Sequence, residues 1–191
     1  MRILIILLLS FSSVFALKAQ APAIFPQAAF RAVYKTHIQY KEKDMSGLLL
    51  IRQGQDSTFR IAFVTEVGMK IFEFKFYPRK KHNFEMISIL SWLDRKIIIN
   101  TLRRDFESLF MTFAAYTKAR QKDNTLVYCH EGKRIYSLEN GRITTMLRKH
   151  LGLKKEEISI TNTDDKPVPV RIGIQHLGAE LSIKMELIKF E

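Results

Sequence analysis

Residues 59–76 read FRIAFVTEVGMKIFEFKF, and this stretch decides the fold. Phe59, Ile61 and Phe63 alternate with Arg60, Ala62 and Val64. Gly68 marks a turn, and Phe72, Phe74 and Phe76 then alternate with Ile71, Glu73 and Lys75 until Pro78 ends the run. A period of two predicts strands with one buried face, because successive side chains on a strand point to opposite sides. Two such runs around a short turn predict an antiparallel hairpin.

The same period extends outward in both directions. Upstream, Phe30, Ala32, Tyr34, Thr36, Ile38 and Tyr40 share one face, while Arg31, Val33, Lys35, His37, Gln39 and Lys41 share the other. Asp44 to Gly47 reads as a turn, Leu48 to Arg52 as a second strand, and Gly54 to Ser57 as the next turn. Downstream, Phe84 to Leu90 makes a fifth strand. The period then changes. Ile98, Leu102, Phe106, Leu109, Phe110 and Phe113 follow helical spacing, with Arg103, Arg104, Glu107 and Ser108 on the other side. This predicts one long amphipathic helix from Asp94 to Ala115, with Asp94 as its N-cap.

Strands return in the last third. Thr125–His130 and Lys133–Leu138 flank Glu131-Gly132, and Asn140-Gly141 predicts a tight hairpin leading into Ile143–Leu147. Lys154–Glu157 reads as a charged loop before Ile158 and Ile160. Val168, Val170, Ile172 and Ile174 form another alternating run, whose Pro169 suggests an edge strand. Leu181, Ile183, Met185 and Leu187 form the last. No strand–helix–strand alternation occurs, which argues against a parallel sheet. The expectation is a mainly β domain: a strongly curved antiparallel sheet or half-open barrel of about ten strands, with one helix covering the open side.

The first 20 residues read as a signal peptide. Arg2 supplies the positive end, Ile3 to Leu9 is unbroken apolar sequence, and Lys18-Ala19-Gln20 is short, polar and small. The run is too short for a membrane anchor, which needs roughly 20 apolar residues. Residues 21–191 then form a single exported domain, expected in the periplasm and soluble after cleavage. The chain carries 31 Lys and Arg against 19 Asp and Glu, a net charge of +12. In an exported protein with scattered cations and no glycine-rich phosphate loop or aromatic RNA-binding motif, such a charge does not indicate nucleic acid. The densest cluster, Arg79-Lys80-Lys81-His82, is a candidate contact for an anionic membrane surface.

Local motifs for chemistry are sparse. The five histidines (37, 82, 130, 150 and 176) show no metal-ligand spacing, so no metal and no cofactor is expected. The lone Cys129 excludes an internal disulfide framework and is expected to be a buried core thiol. No nucleophile elbow is present, and no enzymatic activity is expected. What stands out is the density of large apolar side chains within 34 residues: Phe59, Ile61, Phe63, Phe72, Phe74, Phe76, Phe84, Met86 and Trp92. They can fill space under a helix. Alternatively, a curled sheet encloses more volume than one helix fills, and they line an apolar cavity.

The run from Phe30 to Phe76 resembles the LolA/LolB superfamily of periplasmic lipoprotein carriers and receptors. The resemblance lies in Ser46-Gly47, the strand Leu48-Leu49-Leu50-Ile51-Arg52, the aromatic–basic strand Phe59–Phe63, and the aromatic strand after Gly68. It implies a half-open barrel with a helical lid that holds acyl chains of lipids or lipoproteins in its concavity. It also implies a non-enzymatic carrier or chaperone. It assigns a gating role to Arg52, and Phe106 and Phe110 on the helix would belong to the same lid. The receptor branch carries a lipidated N-terminal cysteine that is absent near the cut here. The alternative is a cell-envelope protein with a packed core that binds a protein partner.

Overall fold

The computed structural model describes residues 23–26, 28–78, 83–111, 119–129, 132–177 and 180–191. The expected signal peptide and the Arg79–His82 cluster lie outside the described residues. The elements run β1 (Phe30–Tyr40), β2 (Lys43–Gln53), β3 (Phe59–Thr65), β4 (Lys70–Phe76), β5 (Phe84–Ile89) and α1 (Lys96–Phe110). They continue as β6 (Ala119–Lys122), β7 (Thr125–Cys129), β8 (Lys133–Glu139), β9 (Arg142–His150), β10 (Leu153–Thr161), β11 (Arg171–His176) and β12 (Leu181–Phe190).

All twelve strands form one antiparallel sheet in the order β5-β4-β3-β2-β1-β12-β11-β10-β9-β8-β7-β6. Strands consecutive in sequence are neighbours in the sheet except β5 and β6, and the first and last strands pair at the centre. The two edges, β5 and β6, flank α1 in sequence. The sheet is strongly curved around that helix. Phe106 of α1 meets Phe74 of β4, while Ser108 accepts from Arg134 of β8. Those strands stand eight positions apart, roughly 38 Å in a flat sheet, and a helix is only about 10–12 Å across.

The alternation sets which face turns inward. On β1, Phe30, Ala32, Tyr34, Thr36 and Ile38 are buried and Arg31, Lys35, His37 and Gln39 are exposed. On β4, Phe72 pairs with Phe63 but Lys70 pairs with Val64, leaving Ile71 as a bulge. The extra residue lets Ile71 and Phe72 both face inward. The Asn140–Gly141 hairpin is present, with φ of 51° and 75°.

Several expectations are corrected. Asp44–Gly47 is not a turn but part of β2, because the chain reverses earlier, at Lys41 with φ 54°. Gly47 is required instead by close strand approach: a Cβ there would meet the Val64 carbonyl oxygen at 2.2 Å. Lys154–Glu157 is not a loop but belongs to β10, since Leu151-Gly152 take the turn. β11 is not an edge strand; it lies between β10 and β12. Pro169 precedes it, and its carbonyl accepts the Tyr34 hydroxyl at 2.9 Å. Cys129 is exposed, not buried, at the end of β7. β6 had no pattern to reveal it.

The helix begins after Arg95, in extended conformation and without a side-chain cap, so Asp94 is not the N-cap. It ends at Phe110, where Met111 turns left-handed at φ 52°. Residues 112–115 of the predicted helix lie outside the described residues. Glu107 and Ser108, expected on the wet side, are fully buried, because β8 closes over that side of the helix. Among the described residues, no helix is long and apolar enough to cross a membrane.

Candidate functional site

The two ends of α1 sit in different surroundings. From Leu102 to Phe110 the helix is mostly buried, whereas Ile97 in its first turn is 73% exposed. Beneath that exposed half lies an apolar cavity of about 140 Å³. Its walls are Ile38 and Tyr40 of β1, Met45 of β2, Ile71 and Phe72 of β4, Ile98, Thr101 and Leu102 of α1, His176 of β11 and Leu181 of β12. The mouth end carries exposed apolar tips: Val67 at 88%, Leu151 at 89%, and also Met69, Trp92, Leu153 and Leu177. The registers place these turns at one end of the barrel, where Tyr40 pairs with Leu181, Leu153 with His150, and Val64 with Lys70.

Of the aromatic residues singled out in the sequence, Phe72 borders this cavity. Phe59, Ile61, Phe63, Phe74 and Phe76 are buried in one core cluster, in which Phe59, Phe74 and Phe76 meet rings of α1. Phe59 stacks on Phe110 at 4.3 Å between ring centres, and Phe74 meets Phe106 edge-on at 5.1 Å. Phe84 and Met86 pack at the margin of the core, and Trp92 is at the surface with the Lys43 ammonium 4.5 Å from its ring centre. Phe25 closes the far end against Phe30 and Phe110. Arg52 is exposed on the convex face, opposite Arg31 and Arg60; the arginine that reaches α1 is Arg134.

The other side of α1 meets charge. The Arg134 guanidinium donates from Nε to Ser108 Oγ at 3.0 Å and from Nη2 to Glu107 Oε2 at 3.2 Å. Asn83 donates to Glu107 Oε1 at 3.0 Å, and the Tyr136 hydroxyl donates to the Ser108 carbonyl at 2.9 Å. One turn earlier, Asp105 Oδ2 lies 2.9 Å from His176 Nε2. Glu156 of β10 accepts from Arg148 Nε at 2.6 Å through Oε2. Asp105 Oδ1 and Glu156 Oε1 are buried with no hydrogen-bond partner, a state that costs about 1–3 kcal/mol for each group. Burial, with the nearby Glu156 charge, pushes the Asp105 carboxyl up to about 7. Burial works against protonated His176, but its bond to Asp105 and the two carboxylate charges hold it above its ordinary value.

Three solved structures align with most of the chain at low identity. A LolA superfamily protein from Nitrosomonas europaea aligns at TM-score 0.49 and 10% identity, over 87% of each chain. A putative outer membrane lipoprotein-sorting protein domain from Vibrio parahaemolyticus aligns at 0.47 and 10%, over 87% of this chain and 86% of that one. A DUF1329 family protein from Desulfovibrio piger aligns at 0.49 and 6%, over 86% and 85%. No family model matches the sequence, and no curated protein matches it.

The alternating apolar pattern of the sequence marks β1–β4 and carries no sign of the charged side. Asp105, Glu107, Arg134, Arg148, Glu156 and His176 are scattered over 72 residues and look individually like surface residues. One signal was available: Arg134, Tyr136 and Arg148 sit on strands whose alternation places them beside apolar neighbours.

Proposed function

We propose that the protein is an exported, non-enzymatic carrier or chaperone that takes an apolar chain of a lipid or lipoprotein under α1, in the periplasmic space of the cell envelope. The observation that carries this reading is the apolar cavity beneath the half-exposed first turns of the helix. Its size sets the mechanism. A cavity of about 150 Å³ lined by apolar side chains stays dry and holds a molecule the size of benzene. An acyl chain is larger, so α1 must move for one to enter. Uncovering Phe106, Leu109 and Phe110 would cost roughly 1.5–3 kcal/mol for each side chain, whereas lifting the first turns uncovers chiefly Leu102. Entry therefore proceeds from the exposed end, with the charged side of the helix as the pivot. The apolar turns around the mouth favour contact with a membrane from which a chain is drawn, and the Arg79, Lys80 and Lys81 cluster would supply a further contact with anionic head groups.

The filled phenylalanine core favours a second reading, a packed envelope protein that binds a protein partner. Native mass spectrometry of detergent-free protein separates the two. The carrier reading expects a reproducible extra mass that dissociates as a lipid or acylated peptide. It also expects saturable uptake of a fatty-acid probe that Ile98→Phe, which fills the cavity, weakens at least about tenfold. Clean protein with no probe uptake would overturn it in favour of the packed-core reading.

A further inference from the structure

We propose that Asp105, Glu156 and His176 form a divalent-cation site that ties α1 to β10 and β11. Their ligand atoms, one from each side chain, all lie within 4.8 Å of one another, and all three residues are buried. The independent observation is the pair of partnerless oxygens. Asp105 Oδ1 and Glu156 Oε1 are buried in side chains with no solvent exposure, and neither has a hydrogen-bond partner. Other groups account for the remaining oxygens: Arg148 holds Glu156 Oε2 at 2.6 Å, and His176 Nε2 sits 2.9 Å from Asp105 Oδ2. Glu156 thus has one oxygen to offer an ion without losing its arginine.

The donor set is chemically coherent. One imidazole and two carboxylates suit Zn²⁺ and its neighbours among the first-row dications, and are less suited to a soft ion that prefers thiolate. Zn²⁺ bonds of about 2.0–2.2 Å to N and O set donor atoms roughly 3.3–3.5 Å apart, so separations of up to 4.8 Å need to contract by no more than about 1.5 Å. The ion would replace the His176–Asp105 hydrogen bond with two coordinate bonds. His176 also borders the apolar cavity beneath α1. Each ligand comes from a different element, and this is why no spacing motif announces the site.

The test uses the whole protein expressed from its full-length gene, stripped with a chelator, then titrated with Zn²⁺ by calorimetry and followed by thermal melting. We expect one equivalent bound and a melting temperature raised by several degrees at saturation. Asp105→Asn and Glu156→Gln should each weaken binding at least about tenfold. The exposed Glu157→Gln, and His37→Ala at the exposed His37–Asp44 pair, should leave it unchanged. No saturable uptake, or uptake lost in His37→Ala and kept in the buried variants, overturns the proposal. So does a melt that responds to pH but not to Zn²⁺, since a shared proton then fills the gap. Should the buried variants fail to fold, Co²⁺ loading of the unaltered protein decides. Paramagnetically shifted signals from the His176 ring support the site, and shifts confined to exposed histidines overturn it.

Discussion

Strands β3 and β4 meet α1 with phenylalanine rings, whereas β8 and β11 meet the same helix with Arg134, Tyr136 and His176. The aromatic side holds by area and dispersion, which are non-directional and survive small displacements. The charged side holds by directional bonds in a site that water does not reach. Breaking one of them takes a partner from a buried charged group that water does not replace. One face of α1 can therefore slide, and the other is latched.

The largest effect should come from emptying the aromatic side. Phe106→Ala, at a fully buried ring, should cost about 3–5 kcal/mol in denaturant unfolding, while Phe106→Leu should cost less than half as much. The charged side should respond differently to conservative change. Arg134→Met should cost about 3 kcal/mol, and Arg134→Lys nearly as much, because an ammonium cannot bond Ser108 and Glu107 together with the planar fork of a guanidinium. Should Arg134→Lys prove as mild as Phe106→Leu, the contrast between the two sides fails.

The contrast also explains what the sequence disclosed. Phe59–Phe76 announced its side because a large apolar residue at every second position has no other economical place than an interior. Glu107 and Arg134 lie 27 positions apart, and neither reveals that it is buried until the sheet has closed over the helix. Lys154–Glu157 misled for the same reason: two lysines and two glutamates look like a solvated loop, yet Glu156 faces inward to Arg148. β6 and the early turn at Lys41 were hidden because Ala119-Arg120-Gln121-Lys122 carries no apolar period and a lysine does not advertise a positive φ. Pro169 does not mark an edge because it stands just outside β11 and removes no donor from its ladder.

Smaller effects sharpen the comparison. Tyr136→Phe removes the hydroxyl that caps the Ser108 carbonyl and should cost about 1–2 kcal/mol, measured by urea unfolding. On the convex face of the aromatic side, Glu73 is paired with Arg60 and Lys70. Its hydrogen bond from Lys70, aided by Arg60, lowers its carboxyl below the ordinary 4.5. A carboxylate lowered in the folded state stabilises the protein above its unfolded value, and that contribution fades as the pH falls through the folded value. Glu73→Gln should flatten the loss of stability below about pH 4.5 and change the neutral-pH stability by less than about 1 kcal/mol, since both cations are half-exposed.

The most direct test of the contrast between the two faces of α1 is amide hydrogen exchange along the helix, with and without a saturating fatty-acid probe. The account predicts that exchange changes at residues 97–102, above the cavity, while residues 105–110 stay protected in both states. Uniform opening of the whole helix, or a change confined to residues 105–110, would contradict it.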